Sequence, residues 1–196
     1  MALHLVTAPT IEPVLLDEAK RQCRVEVADD DALIAGLIVA ARQYVEVATR
    51  RPLMRQTWDW KFDGFPSCDR LTLPLPPVSS VTSITYIDAA GDSQTWSSAL
   101  YTTDFPSGPW AQKASIEPIY GGVWPGTQSV INAVTVRFVC GYGTTAATVP
   151  ESLRHAIKML VAHWYDQRYP VQIGTGSSVT TIPLAIDALT WPFISF

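Results

Sequence analysis

The hydrophobic period of this chain changes twice, and that change limits the folds open to it more than any other feature. Between residues 33 and 48, Leu33, Ile34, Leu37, Ile38, Ala41, Tyr44, Val45 and Ala48 fall on one stripe of a 3.6-residue helix. From residue 55 to 140 the pattern becomes short runs rich in Trp, Tyr, Thr, Val and Ile, broken by Pro, Gly, Asp and Ser, as strands require. At Leu153, Ala156, Ile157, Leu160, Val161 and Trp164 the helical spacing returns. Helices that flank a block of strands, instead of alternating with them, predict an α+β fold. The expected architecture is a helical core of two N-terminal helices plus one C-terminal amphipathic helix, an antiparallel β-rich middle region and an extended C-terminal tail.

Local signals set the boundaries. Helices are expected at about 16–27, 30–50 and 150–168. LDEAKRQCRV places acids first and bases last, which suits the helix dipole. One of Asp29, Asp30 and Asp31 is expected to cap the second helix by accepting a backbone N–H, and Pro52 marks its end. Val149-Pro150-Glu151 opens the third, which should stop near Arg168, before Pro170. Strands are expected at Gln56–Phe62, Arg70–Leu73, Val81–Ile87, Gln94–Trp96, Tyr101–Thr103, Ala114–Pro118 and Ala133–Cys140. Trp58 and Trp60 should share one face, as should Val134, Val136 and Phe138, and Gly91 should supply the positive φ of a hairpin turn. Short connections make an antiparallel meander.

At 196 residues the chain is expected to hold one domain, residues 1–170, with a β-rich insertion at about 55–140. The remainder, 171–196, opens with a Gly/Ser/Thr-rich stretch whose composition predicts flexibility and ends in an apolar run. A polar linker with an apolar end is poorly explained by a solitary monomer. It reads as an arm that docks on a partner, with Leu184, Ile186, Leu189, Trp191, Phe193 and Phe196 as the candidate partner-binding residues. The low charged fraction, 16% against a typical ~25%, also suggests surface buried against partners.

A net charge of −4 and a pI near 5.3 argue against a surface built to neutralise phosphates. Lys20, Arg21 and Arg24, like Arg50, Arg51 and Arg55, sit at helix ends, where they complement the dipole. Cys23, Cys68 and Cys140 are odd in number and form no CxxC, so they read as reduced thiols acting as small hydrophobes. The N-terminus has no basic region ahead of an apolar run, and no window approaches ~18 consecutive apolar residues, so a soluble protein made in the cytoplasm is expected.

Catalytic signatures are missing. His155 and His163 lie eight apart, too far for the i, i+4 pair that grips one metal, and His4 is remote in sequence. The Asp29–Asp31 run lacks the alternating oxygens and central glycine of a calcium loop. Gly141-Tyr142-Gly143 lacks the order of a phosphate loop, and there is no GxSxG. Asp17, Glu18, Asp63, Asp88, Asp104 and Asp166 are scattered, so a carboxylate pair could form only in space. The expectation is no enzyme, no cofactor and no metal. Trp96, Trp110, Trp124 and Tyr120 could stack on sugars, which motivates an alternative reading as a carbohydrate- or receptor-binding β module of a phage-like particle; in a β-rich domain such rings are more often core or interface anchors.

Taken in order, LDEAKRQCRV, DDDALIAGLIVAARQYVEVATRRPL, QTWDWKFDGFP with LPLPPVSSVTSITYID, FVCGYG and VPESLRHAIKMLVAHWYDQR resemble the head-to-tail connector (adaptor) proteins of tailed bacteriophages, prophages and gene transfer agents, over about residues 12–168. The resemblance implies a structural virion assembly protein: a self-associating ring, commonly dodecameric, that sits beneath the portal protein, extends the DNA channel and receives the stopper or tail-side proteins. It implies that the helices form the ring body, that the β-rich part projects from it, and that the C-terminal segment reaches into the portal. DNA would pass without specific binding, no membrane would be involved, and the place of action would be the head–tail junction of a particle assembled in a bacterial cytoplasm. The family supplies no catalytic residues, and the residues beyond Pro170 lie outside the matched motifs.

Overall fold

A computed structural model describes residues 1–167 and 184–195. The fold is α+β, with four helices and two antiparallel sheets among the described residues. They separate into a β unit, Met1–Pro9 with Arg55–Tyr142, and a helical unit built from Thr10–Met54 and Gly143–Ile194.

The helical unit contains α1 (Leu16–Cys23), α2 (Asp31–Thr49), α3 (Glu151–Asp166) and α4 (Leu184–Thr190), the last followed by a 3-10 turn at Trp191–Phe193. The Glu18 carboxylate reaches back to accept from the Leu15 N–H at 3.0 Å. This is half of a capping box, because Leu15 has no side-chain acceptor to complete it. α1 ends at Cys23, short of the expected 27, because Arg24 turns left-handed (φ 56°) and the Val25 N–H bonds the Lys20 carbonyl. Arg50 (φ 55°) closes α2 the same way, with the Arg51 N–H on the Glu46 carbonyl. Asp30 occupies the N-cap position of α2, but its side chain caps no helix N–H; it accepts the Tyr165 hydroxyl instead. The capping role expected of the aspartates is therefore replaced by a tie to α3.

The buried residues of α2 are Ile34, Ile38, Ala41, Arg42, Val45 and Thr49, while Leu33 and Ala48 face solvent, so its core stripe is narrower than the sequence suggested. Thr49 satisfies its hydroxyl on the Val45 carbonyl at 2.7 Å. α2 is the one described helix long and apolar enough to pass for a membrane span. It packs instead on α1 and α3 and carries Arg42 and Glu46. α3 buries Leu153, Ala156, Ile157, Leu160 and Val161, the stripe read from the sequence, and Trp164 meets Tyr44 edge-on at 6.2 Å between centroids.

The β unit holds β1 (Ala2–Thr7), β2 (Gln56–Phe62), β3 (Leu71–Thr72), β4 (Val78–Ile87), β5 (Ser93–Trp96), β6 (Tyr101–Asp104), β7 (Ser115–Pro118) and β8 (Val134–Cys140). The larger sheet has the order β1-β2-β8-β4-β5 and the smaller β3-β7-β6, with every pairing antiparallel. β4 starts three residues before the expected Val81 and absorbs register shifts at Val78/Ser80 and Val81/Ser83, which blurs its alternation. Trp58 stands opposite Phe138, Trp60 opposite Val136, and Ile84 between Val136 and Trp96, so one face of the sheet is apolar. Phe62, Leu73, Ile84, Val134, Val136 and Phe138 are fully buried there, and Leu71 and Ile116 of the smaller sheet join the same core. The other face carries Asp59 opposite Arg137, joined by two hydrogen bonds of 2.7 and 2.8 Å.

Candidate functional site

The apolar end of the chain was the sequence's candidate for partner binding, and its described part is folded. α4 packs on α3. Ile186 is 1% and Phe193 4% exposed, Leu189 is half-buried, and Trp191 is 69% exposed. The buried Arg51 guanidinium donates to the Phe193 carbonyl and ties the segment to the chain after α2, while within α4 Thr190 Oγ1 donates to the Ile186 carbonyl at 3.0 Å. The six candidates therefore part company, with Ile186 and Phe193 facing inward and Trp191 facing out. The Leu184 side chain, Phe196 and residues 168–183, including the expected end of α3 near Arg168 and most of the expected linker, lie outside the described residues.

The helical unit is cross-braced by charged side chains, with Arg42 buried and most of the others half-buried. Arg42 Nε donates to Glu12 and its Nη1 to Glu46, both at 2.7 Å, and the other Glu46 oxygen accepts the Leu53 N–H at 2.8 Å. Burial pushes the Glu46 carboxyl above its ordinary pKa, against the pull of the Leu53 N–H and Arg42. Burial also works against the Arg42 charge, but Glu12 and Glu46 outweigh it and raise its pKa. Arg154 joins three segments: its Nε donates to the Pro13 carbonyl at 2.9 Å, its Nη2 to Glu18 at 2.7 and 2.9 Å, and its Nη1 to Glu151. Partial burial would raise the Glu18 carboxyl, but the Leu15 N–H and Arg154 prevail and hold it low. Lys20 lies 2.6 Å from Asp31 and links α1 to α2. Every one of these carboxylates is engaged by a fixed cation, which suits bracing and leaves none as a proton-transfer group.

No group of three or more His, Cys, Asp or Glu side chains capable of holding a metal occurs among the described residues. A shallow groove of about 300 Å³ in the β unit is lined by Pro77, Val78, Phe105, Pro106 and Tyr142, and the Tyr142 hydroxyl donates to the Pro109 carbonyl at 2.8 Å. Its other polar side chains are the hydroxyls of Ser79 and Ser107, and the lining holds no carboxylate, histidine, lysine or cysteine to activate them. Of the four rings considered for sugar stacking, Trp96 is buried and Trp124 lies against Phe65 at 4.9 Å while donating its Nε1–H to the Cys68 carbonyl; Trp110 and Tyr120 are exposed. Cys140 is buried and Cys23 half-buried, as small hydrophobes should be, but Cys68 is exposed in a loop. The sequence reading missed β1, although Leu3 and Leu5 alternating with His4 carry the period-2 signal, and it missed α4, whose seven residues are too short for a convincing helical stripe.

The model of the family described as head completion protein matches residues 15–185. None of the curated proteins matches the sequence. Among solved structures, a chain in the neck of an empty GTA particle computed with C6 symmetry superposes with a TM-score of 0.80 at 23% identity, over 100% of this chain and 96% of that one. A chain in the virion of a native gene transfer agent (GTA) particle gives 0.79 at 23%, with the same coverage. One in the neck of a native GTA particle computed with C12 symmetry gives 0.76 at 22%, again with that coverage. At these identities the likeness concerns the fold.

Proposed function

The chain belongs to the head completion protein family, and we propose that it works at the head–tail junction of a phage-like particle, as an adaptor ring beneath the portal that extends the DNA channel and carries the stopper or tail-side proteins. Head completion is a structural task, and the chain is a structural protein, not an enzyme. The observation that carries the reading is the family match across residues 15–185. The full-length likeness of fold to chains from GTA necks, computed with C6 and C12 symmetry, supports a ring and a neck position. A net charge of −4 supports a channel wall over which DNA slides without being held.

The ring body is assigned to the helical unit, whose charge braces make it a rigid block. The portal contact is assigned to residues 184–196. In that segment Trp191 and Leu189 meet the portal, while Ile186 and Phe193 hold the segment in the shape that presents them. Leu184 and Phe196 belong to the same docking segment.

The test is binding of the purified chain to isolated portal rings, followed by electron microscopy of the product. The chain should add a ring to one face of the portal. Trp191→Ala, an exposed position that leaves the fold intact, should weaken binding about 30-fold, as loss of an interfacial tryptophan worth ~2 kcal/mol does. Deleting residues 171–196 should abolish it. Portal binding that survives both changes would remove the segment from the interface.

A further inference from the structure

The larger sheet ends in two open edges. β1 and β5 each have a hydrogen-bonded strand on one side only, so each presents a row of backbone N–H and C=O groups with no strand opposite among the described residues. Solvent-facing edges are usually protected from pairing by lysines, prolines or inward-pointing charges. β1, Ala2-Leu-His-Leu-Val-Thr7, has no Lys, Pro or acid, and Leu3, Leu5 and Val6 are 40%, 48% and 44% exposed.

The apolar face of the sheet also runs out to this edge. Leu3 stands opposite Trp60 and Leu5 opposite Trp58, which in turn stand opposite Val136 and Phe138. No polar row closes that face, whereas the reverse face is polar through His4, Asp59 and Arg137. A strand laid beside β1 would complete both faces if it carried an apolar side chain on the leucine side and polar ones on the histidine side. β5 meets that pattern in part: on the apolar face Trp96 stands opposite Ile84 with the polar Gln94 opposite Tyr86 beside it, and Thr95, opposite Thr85, lies on the polar face with its side chain exposed.

The strand count makes the match directional. Five strands, each antiparallel to the next, leave β1 and β5 running the same way. A second copy in the same orientation can therefore set its β5 beside β1 with like faces aligned, as a parallel pair. Such a contact joins two different surfaces, so it repeats head to tail and closes into a ring when the rotation allows. Two copies of β1 facing each other would instead give a two-fold dimer that stops there.

We propose that β1 of one copy pairs with β5 of the next, so that the larger sheets of neighbouring copies are joined around the ring. The proposal rests on the ring reading above and adds to its helical ring body a second contact between copies, through the β unit. A parallel pair only four to six residues long is weak by itself, so the contact forms as the ring assembles.

The test uses the full chain with Cys68→Ser to remove the exposed thiol, and with His4→Cys and Thr95→Cys, two exposed positions on the polar face. Rings assembled on portals are treated with a short bis-maleimide and read on a denaturing gel. The expected result is a ladder of covalent multimers extending well past the dimer, absent from chains that carry only one of the two added cysteines beside the native Cys23 and Cys140. Rings without a ladder would overturn the edge contact and leave the ring reading standing. Dimers formed by the His4→Cys chain alone would show two-fold β1 pairing, and cross-links only to portal would show a different occupant; either overturns the proposal. Chains that form no ring on the portal would sink the ring reading and this proposal with it. As a second arm, the pair Leu3→Lys and Leu5→Lys should lower ring occupancy roughly tenfold, through lost cross-strand contacts, with an unchanged circular dichroism spectrum. Undiminished occupancy would count against the contact.

Discussion

Phe193→Ala separates a docked C-terminal segment from a free one. Phe193 and Ile186 are 4% and 1% exposed, and burying two such side chains contributes about 3–6 kcal/mol. Ordering α4 and the turn after it costs conformational entropy that takes up part of this gain. A seven-residue helix has little stability alone, so the docked state lies only a few kcal/mol below the undocked one. Losing the phenyl ring in a rigid core costs about 3–5 kcal/mol, more than that margin. The segment should therefore come away instead of enclosing a cavity. Hydrogen exchange read by mass spectrometry should show protection across Ile186–Phe193 falling about 100-fold, while amides of α3 between Leu153 and Val161 keep theirs. Portal affinity should fall as well, because Trp191 is no longer presented. Unchanged protection would refute the packing argument. Lost protection with tighter portal binding would refute the presentation argument, since it would mean that the portal takes the released segment.

Arg154→Ala removes the donor shared by the Pro13 carbonyl, Glu18 and Glu151, and should lower unfolding free energy by about 2 kcal/mol, partial exposure having screened the rest; a loss below about 0.5 kcal/mol in guanidinium titration would show that the clamp is ornamental. Acid sensitivity follows from sign. Glu18 and Glu151 have folded-state pKa values below their ordinary one, so the stability they supply is full above about pH 4.3 and is lost as the pH falls through the lowered values. Glu46, raised by burial, acts the other way, its contribution declining as the pH rises past its ordinary value. The denaturation midpoint should fall below about pH 4.3, and Glu18→Gln should make that fall shallower; an equally steep fall in the variant would exclude Glu18 as a contributor. Gly143→Ala should cost about 1–3 kcal/mol, because a Cβ there would meet Thr148 at 2.6–2.9 Å, and that short branched side chain is itself tied to the Thr145 carbonyl; a melting temperature within a degree of the parent would contradict it.

The elements whose sequence carries its own period were legible in advance. β2 has the bounds read from the chain, and β5, β6, β7 and β8 differ from expectation by a residue at one end, because alternation and turn residues are local properties. α3 was equally legible, since its buried stripe is the one its spacing draws. The early end of α1 was not, because Arg24 adopts a left-handed turn that favours glycine, and its residue type does not announce it. The aspartates before α2 were read as caps because Asp is a good one. Asp30 takes the hydroxyl of Tyr165 instead, a partner 135 residues away that local reasoning cannot see.

The candidate site divides along the same line. An apolar chain end identifies itself from composition, and so does the lack of any catalytic signature. The sequence by itself therefore determined that this is an α+β chain with an apolar segment after residue 183, since periodicity and composition act over neighbouring residues. Which side chains of that end face inward was decided only when α3 and Arg51 were brought against it, because burial depends on what another segment offers across space. The same holds for the open edges of the larger sheet. β1 is a short alternating run until the fold places it last in the order β1-β2-β8-β4-β5, and only that position leaves its backbone hydrogen bonds for a neighbour to satisfy.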